Sequence, residues 1–410
     1  MSDFRATLER LYGLIGRGRR ADLGPMLAVC ERLGHPERAF EAVHVAGTNG
    51  KGSTCAFVSA MAQAAGKRVG LYTSPHLVKL SERIQIDGAP LDDETLGRLL
   101  ARVMDEAPEL TFFEVMTLTA FLAFQEAGVE LAVLEVGLGG RFDATNVIPP
   151  PRVAAITRVA FDHMEELGDS LGAIAREKAG IIKPGSTVVV GKLHPDARAV
   201  VEEVAATAGT PVVALGGPEP IPGAPLAYPR VAMIGSNLAV AVTIGRELGF
   251  EPEAMAAGIE KTHWPGRNEL LHRSGQELTL LDCAHNPDGA VSLSHVLDPS
   301  VLGEVESRRD VALVFGTIVG KNWKSMLQRL SHVAYHRVFV PPPVRNAVDP
   351  QLMSATLGGE IASNVTEGLA RARALVGPRG VVVVTGSTYL VGAARAALLG
   401  LQADGAAPGL

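Results

Sequence analysis

Short apolar runs, each followed by a helical stretch, recur along this chain and leave few folds open to it. AVHVAG (42–47), RVGLYTS (68–74), ELAVLEVGLGG (130–140), RVAAITRV (152–159), STVVVG (186–191) and TPVVAL (210–215) are separated by charged or amphipathic segments. Strands of this kind alternating with helices predict a mainly parallel sheet covered by helices. A second series, LTLLDCAHN, DVALVFGTI, HRVFVPPP and GVVVVTGS, begins after WPGRNE (264–269). The Trp-Pro-Gly turn between the two series reads as an interdomain hinge. The expected fold is therefore α/β: a P-loop-type, mainly parallel N-terminal domain over 1–267 and a smaller Rossmann-like α/β C-terminal domain over 268–410. A length of 410 residues agrees, because single cores rarely grow so large. The tail at 402–410, QADGAAPGL, is expected to be disordered, and no internal repeat of solenoid period is visible.

The first strand runs into HVAGTNGKGSTC (44–55). The standard phosphate-loop pattern asks for glycine six places before the lysine and a hydroxyl directly after it. Here those places hold Val45 and Gly52, so the strict pattern fails although the physical parts are present. A buried strand leads into a glycine-rich turn, and STCAFVSAMAQAAG continues as an apolar helix. Backbone N–H groups of such a turn, with those of the helix start, attract a polyphosphate. Taken alone the run could equally be a plain strand-to-helix turn.

Charge and cysteine usage narrow the setting. A net charge of −6 and a pI near 6.0 carry no general attraction for nucleic acid or an anionic membrane. The basic cluster Arg17, Arg19 and Arg20 reads as a solvated surface, with steering of an anionic substrate as the alternative. Cys30, Cys55 and Cys283 have no metal-ligand spacing, which suits a reducing compartment. The first twenty residues carry charges throughout and no signal-peptide core. No apolar run reaches the roughly 18–20 residues of a membrane helix. The expectation is a soluble cytoplasmic protein.

Three further residues bear on chemistry. Ser74, after a strand in YTSPHL, could offer its hydroxyl to a magnesium ion, or could simply close a Ser-Pro turn. Glu135 lies in an otherwise apolar strand, where an unpaired carboxylate is costly to bury; it needs a metal, a cation or the strand end, and metal contact is preferred to a salt bridge. His163 follows another strand in VAFDHMEELG, and Asp162 beside it could cap the next helix. All three fall at carboxyl ends of strands, where α/β sheets collect ligands.

GTNGKGS, TSPHL, ERIQIDG, LTFFEVMTLTAF, EVGLGGRFDATN, the Asp-His of FDHMEELG, REKAGIIKPG, PGR, D-x-A-H-N-P and VTGSTYLVG occur here in one order. This ordered set resembles the bacterial folylpolyglutamate synthases and dihydrofolate synthases of the Mur-ligase superfamily, and the resemblance runs from about residue 40 to 395. A nucleotide-driven switch protein is the alternative of a different class; it would explain the glycine loop but not EVGLGGRFDATN or REKAGI, and no guanine-reading N-K-x-D is present.

The resemblance implies ATP-dependent transfer of L-glutamate to a folate γ-carboxylate (tetrahydrofolate polyglutamylation) and to dihydropteroate, or to one of the two, through an acyl phosphate. It also implies roles by position. Gly47, Thr48, Asn49, Gly50, Lys51, Gly52 and Ser53 would hold ATP phosphates, and Ser74, Glu135 and His163 would ligate Mg2+. Lys178 would be carbamylated and thereby anionic; without the resemblance it would read as a surface lysine paired with Glu177 or Glu166. Asn237 would meet the adenine, where otherwise it would be a helix-start residue. Arg267 would reach the phosphates from the hinge, Asp282 would lie near the nucleotide, and His285 would face the interdomain cleft. Thr111, Phe112, Phe113 and Glu114 match the region holding the pterin end, and Phe142, Asp143 and Ala144 the dihydropteroate region, although adjacent phenylalanines are more often core. The chain departs from the family at Cys283, where glycine is common, and at Asn322, where an acidic residue usually follows the lysine.

Overall fold

The computed structural model describes residues 2–18, 20–213, 215, 231–271, 278–297 and 310–404. Arg19, Ala214 of the sixth apolar run and residues 405–410 of the tail lie outside these.

The strands are β1 (Glu41–Ala46), β2 (Val69–Tyr72), β3 (Ile84–Ile86), β4 (Ala89–Pro90), β5 (Leu131–Glu135), β6 (Val153–Ile156), β7 (Thr187–Val190) and β8 (Val212–Val213), then β9 (Glu269–Leu271), β10 (Leu278–Leu281), β11 (Val311–Phe315), β12 (His336–Phe339), β13 (Glu360–Ile361) and β14 (Val381–Thr385). The first eight form one sheet in the order β4-β3-β2-β5-β1-β6-β7-β8, and the rest a second in the order β13-β12-β11-β14-β10-β9. All ten apolar runs contain a strand, and these ten pair in parallel within their sheets. The fold is α/β with two mainly parallel sheets.

Four short strands lie outside the ten apolar runs. β3 and β4 form an antiparallel hairpin beside β2, turning through Asp87 (φ +48°) and Gly88 (φ +80°). Asp-Gly between Ile86 and Ala89 is the composition a tight two-residue hairpin turn requires, so the signal was available. β9 lies antiparallel on β10, and β13 adds two residues at the opposite edge.

β1 is the strand that positions the site. Its neighbours β5 and β6 lead to opposite halves of the sheet, so the crevice beyond its carboxyl end is where connections diverge and a ligand can enter. Val43, Val45 and Ala46 are fully buried, and the residues facing them on β5 and β6 are buried too. On one side of this sheet, Ile156, Val188, Ile174, Ala175 and Val201 share a core.

The described chain divides into two compact units: residues 1–75, 81–226 and 234–263 form one; residues 76–80, 227–233 and 264–410 form the other. The segment 76–80 belongs to the second unit because Leu77 packs on its core, against Val391 and beside Cys283. Backbone also docks there: a Cβ on Gly392 would lie 2.1 Å from Leu77 O, and Leu80 N donates to Asp404 Oδ2.

Candidate active site

The glycine run closes β1 and opens the helix Lys51–Ala64. Gly47 has φ +157° and Gly50, the N-cap, φ +88°. Side chains would not fit either: a Cβ on Gly47 would stand 2.0 Å from Thr157 Oγ1, and one on Gly50 2.1 Å from Asn237 Oδ1. Side chains from two other elements thus shape the loop. Asn237 lies inside the helix Val231–Glu247 rather than at its start, so the capping reading of it is corrected. Thr157 Oγ1 donates to Asn49 O at 2.8 Å, and Thr48 N donates to Arg158 O at 2.6 Å.

The helices starting at Asp93, Phe112, Leu171, Pro287 and Val365 are all capped by a side-chain oxygen, whereas no side chain caps the one starting at Lys51. Its first N–H groups and the positive end of its dipole are left for an anion. Ser53, in that first turn, is buried.

Lys51 and Glu135 meet at the end of β5. Lys51 Nζ lies 3.9 Å from Glu135 Oε1 and donates to Thr48 O at 3.4 Å. The other carboxylate oxygen, Oε2, accepts from Ser74 N at 3.0 Å. The expectation that a metal rather than a cation answers Glu135 is qualified here, since the lysine stands beside it. Even so, one buried carboxylate with a serine alongside, at the foot of the glycine loop, suits Mg2+, which keeps waters and phosphate oxygens and needs few protein ligands. Among the described residues no group of three or more His, Cys, Asp or Glu side chains forms a metal cluster.

His163 begins the short helix Met164–Leu167 with φ +51°; its side chain is 43 % exposed, 3.9 Å from Asp162 and 4.0 Å from Glu166. Asp162 does not cap that helix; it accepts from His163 N itself. The same loop is stitched to the glycine run, because Thr48 Oγ1 bonds to both O and N of Ala160.

Lys178 overturns its surface reading. It is buried on the helix Leu171–Ala179, and Nζ donates to Gly47 O at 3.1 Å, in the glycine run. That helix also carries the 137–146 loop: Arg141 N donates to Glu177 O, and Asn146 Nδ2 to Gly180 O. Lys183 Nζ donates to Asn146 O and Ile148 O, and burial pushes it down to about 8.

Within this loop Asp143 is buried and accepts from Leu138 N, Thr145 N and Thr145 Oγ1. Because Thr145 spends its hydrogen on Asp143, it accepts from His44 Nε2 at 2.8 Å. His44, wholly buried on β1, was not singled out from sequence; a histidine in a run of Val and Ala was the available signal. Its Nδ1 has no partner among the described residues, and burial lowers it to about 3, so the ring is neutral. Ala144 is buried, and Phe142 lies under the Arg141 guanidinium at 4.9 Å.

Thr111 and Glu114 form a reciprocal capping box for the helix Phe112–Glu126. Phe112 stacks on Tyr12 at 6.1 Å with the Arg83 guanidinium 5.2 Å away, and Phe113 lies 6.0 Å from Tyr72. The arginines ahead of them are not merely solvated: Arg17 donates to Pro108 O and Leu110 O, and Arg20 to Glu109 O, just before this helix. They answer carbonyls of the segment that delivers Thr111.

In the second unit Arg267 sits in the Trp264–Arg267 turn and donates to Cys283 O at 3.3 Å. Asp282 is buried; burial raises its carboxyl while Arg267 and two amides, Asn268 N and Ala284 N, work against that rise. His285 Nδ1 lies 2.9 Å from Cys283 O. Asn322 caps the helix Trp323–Leu330 through Ser325 N.

Two Mur ligase families match the chain, the Mur ligase middle domain at 45–217 and the Mur ligase glutamate ligase domain at 266–388. An α/β sheet with a glycine-rich loop after β1, followed by a second α/β sheet, is thus a Mur-type ligase architecture. The dihydrofolate synthase/folylpolyglutamate synthase of Bacillus subtilis is 33% identical, with 93% of this chain and 96% of that protein covered. The folylpolyglutamate synthase of Lacticaseibacillus casei is also 33% identical, over 97% and 99%. Among solved structures, E. coli FolC in complex with DHPP and ADP aligns with TM-score 0.85 at 28% identity over 97% and 98% of the two chains. The Yersinia pestis bifunctional folylpolyglutamate synthase/dihydrofolate synthase with AMPPNP and Mn ion aligns at 0.84, with 30% identity over 97% and 98%. The chain belongs to the folylpolyglutamate synthase/dihydrofolate synthase family of the Mur ligases.

Proposed function

We propose that this chain is an ATP-dependent ligase that joins L-glutamate to a folate γ-carboxylate and to dihydropteroate. The observation that carries the reading is the uncapped helix start behind GTNGKG, with Lys51, Glu135 and Lys178 gathered around one loop. The carboxylate oxygen attacks the γ-phosphorus of ATP, ADP leaves, and an acyl phosphate forms; the glutamate amine then displaces phosphate. In the first step two anions meet, so their charge must be answered before any bond forms. The N–H groups of Asn49 to Gly52 and the Lys51 ammonium would hold the phosphates, with Gly47, Thr48 and Ser53 shaping the cradle. Ser74, Glu135 and His163 would hold Mg2+, which supplies charge neutralisation at the transferring phosphoryl group.

Lys178 is read as carbamylated. A buried ammonium below a cation site would oppose the metal, whereas addition of CO2 to the neutral amine, with loss of a proton, leaves an anion there. Asn237, packed on Gly50, is assigned to the adenine side, and Arg267 and Asp282 to the nucleotide. Phe112, Phe113, Phe142, Asp143 and Ala144 are assigned to the pteroate, and His285 to substrate. Thr111 and Glu114 enter only through the helix start they build. The chain is read as a cytoplasmic monomer with small-molecule substrates and no nucleic-acid or membrane partner; no helix among the described residues is long and apolar enough to cross a membrane.

The deciding assay supplies purified protein with ATP and labelled glutamate, and either dihydropteroate or tetrahydrofolate. Label in both products is expected. Label in one alone reduces the enzyme to a single activity, and label in neither ends the reading. For Lys178, density beyond Nζ in crystals grown with bicarbonate and nucleotide is expected, and an unmodified Nζ there counts against the carbamate.

A further inference from the structure

The two backbone amides on either side of Arg267 are each held by a buried carboxylate. Gly266 N donates to Glu269 Oε2 at 2.8 Å, and Asn268 N to Asp282 Oδ2 at 3.0 Å. Gly266 O in turn accepts from Cys283 N at 2.9 Å. Gly266 and Asn268 have φ of +66° and +48°. Both lie in the left-handed region, which glycine and asparagine enter more readily than other residues, and the three hydrogen bonds fix the turn there.

Glu269 is itself held from far along the chain. Arg395, on the helix Thr388–Leu399, places Nε 3.0 and 3.1 Å from the two carboxylate oxygens. The side chains are 15% and 2% exposed. A pair this dry is a poor source of net stability, because removing both ions from water offsets much of their attraction. Its geometric effect is more definite. Near-equal contact with both oxygens fixes the rotation of the carboxylate, and that rotation is what aims Oε2 at Gly266 N. Arg267 is the residue between the two pinned amides, and its guanidinium rests on Cys283 O, the carbonyl of a residue whose N–H closes the same turn.

We propose that Arg395, acting through Glu269, is a positioning residue that aims Arg267. The proposal rests on the reading of Arg267 as a nucleotide-facing arginine. Loss of the pair leaves Arg267 in place but frees the turn, so the binding of ground-state ATP changes little while the contact made in the transition state is lost.

The test is a double-mutant cycle on the full-length enzyme with ATP, folate and glutamate. R395M is expected to lower kcat about tenfold or more while KM for ATP moves less than about threefold, and R395K to recover most of the turnover. R267A/R395M is expected to be no slower than R267A. If R395M does not fold because Glu269 is left unpaired, E269Q/R395M removes both charges and enters the same cycle. A folded R395M or E269Q/R395M enzyme with parental kcat overturns the proposal, as does a drop that repeats in full on the R267A background. An R267A enzyme of undiminished turnover overturns the reading of Arg267 and the proposal with it.

Discussion

Single side chains here are held by groups distant in sequence, and that sets what their removal does. Lys51 is not an exposed loop lysine; its side chain is 16% exposed and it stands beside Glu135. Lys51→Ala is therefore expected to abolish glutamate ligation and also to cost about 1–2 kcal/mol, because a carboxylate loses its cation. K51M/E135Q should regain the stability but not the activity, as read by melting and ligation assays; an active Lys51→Ala enzyme removes the phosphate assignment. His44 makes a second prediction. Its ring titrates near 6.5 when unfolded and at about 3 when folded. The unfolded state therefore binds the extra proton between those values, and the stabilisation present above pH 6.5 is lost as pH falls toward 3. The window is worth on the order of 5 kcal/mol. His44→Asn is expected to flatten the acid limb of the stability profile, and an unchanged slope between pH 6 and 4 would argue against a neutral buried ring. Cysteines follow the same logic: all three are buried, burial pushes Cys283 up to about 12 and also raises Cys30 and Cys55, so a native thiol titration should find no fast-reacting group.

Elements matter at their ends. The strand-to-helix turn after β1 must take φ +88° at Gly50 while Asn237 closes over it. Gly50→Ala is expected to cost about 1–2 kcal/mol from the backbone alone. It should also displace Asn237, so nucleotide affinity by titration calorimetry should fall tenfold or more; unaltered affinity would mean that the turn carries no ligand. The helix Leu171–Ala179 acts in a similar way for the 137–146 loop. Its last carbonyls receive Arg141 and Asn146, so the loop and Lys178 share one support.

At the scale of the molecule, the unit built mainly from residues after 263 also claims residues 76–80, where Leu77 and Leu80 find their partners. A single cut near the Trp-Pro-Gly turn thus strips Leu77 of its cover. Separately expressed segments 1–263 and 264–410 are expected to melt below the intact chain. The first segment carries Lys51, Glu135 and Lys178 but not Arg267 or Asp282, and is expected to ligate no glutamate by itself. Ligation by that segment at the full-length rate ends the requirement for both halves.

Much of this was legible in sequence because it is local. Ten apolar runs named ten parallel strands, since burial on both faces writes itself as uninterrupted Val, Leu, Ile and Ala. The glycine loop was legible for a similar reason, as only glycine supplies the angles that such a turn needs. The hairpin at Asp87-Gly88 is also written locally, by the turn residues themselves. What only the tertiary structure decided is which distant groups meet. Lys178 under Gly47 O, His44 on Thr145, Arg17 on Leu110 O and Arg395 on Glu269 join residues 131, 101, 93 and 126 positions apart. No periodicity records such pairs, because each is set by strand order and helix packing rather than by neighbours in the chain. A buried lysine and a surface lysine are the same letter; the sheet, by placing the helix Leu171–Ala179 beneath the end of β1, determined which one Lys178 is.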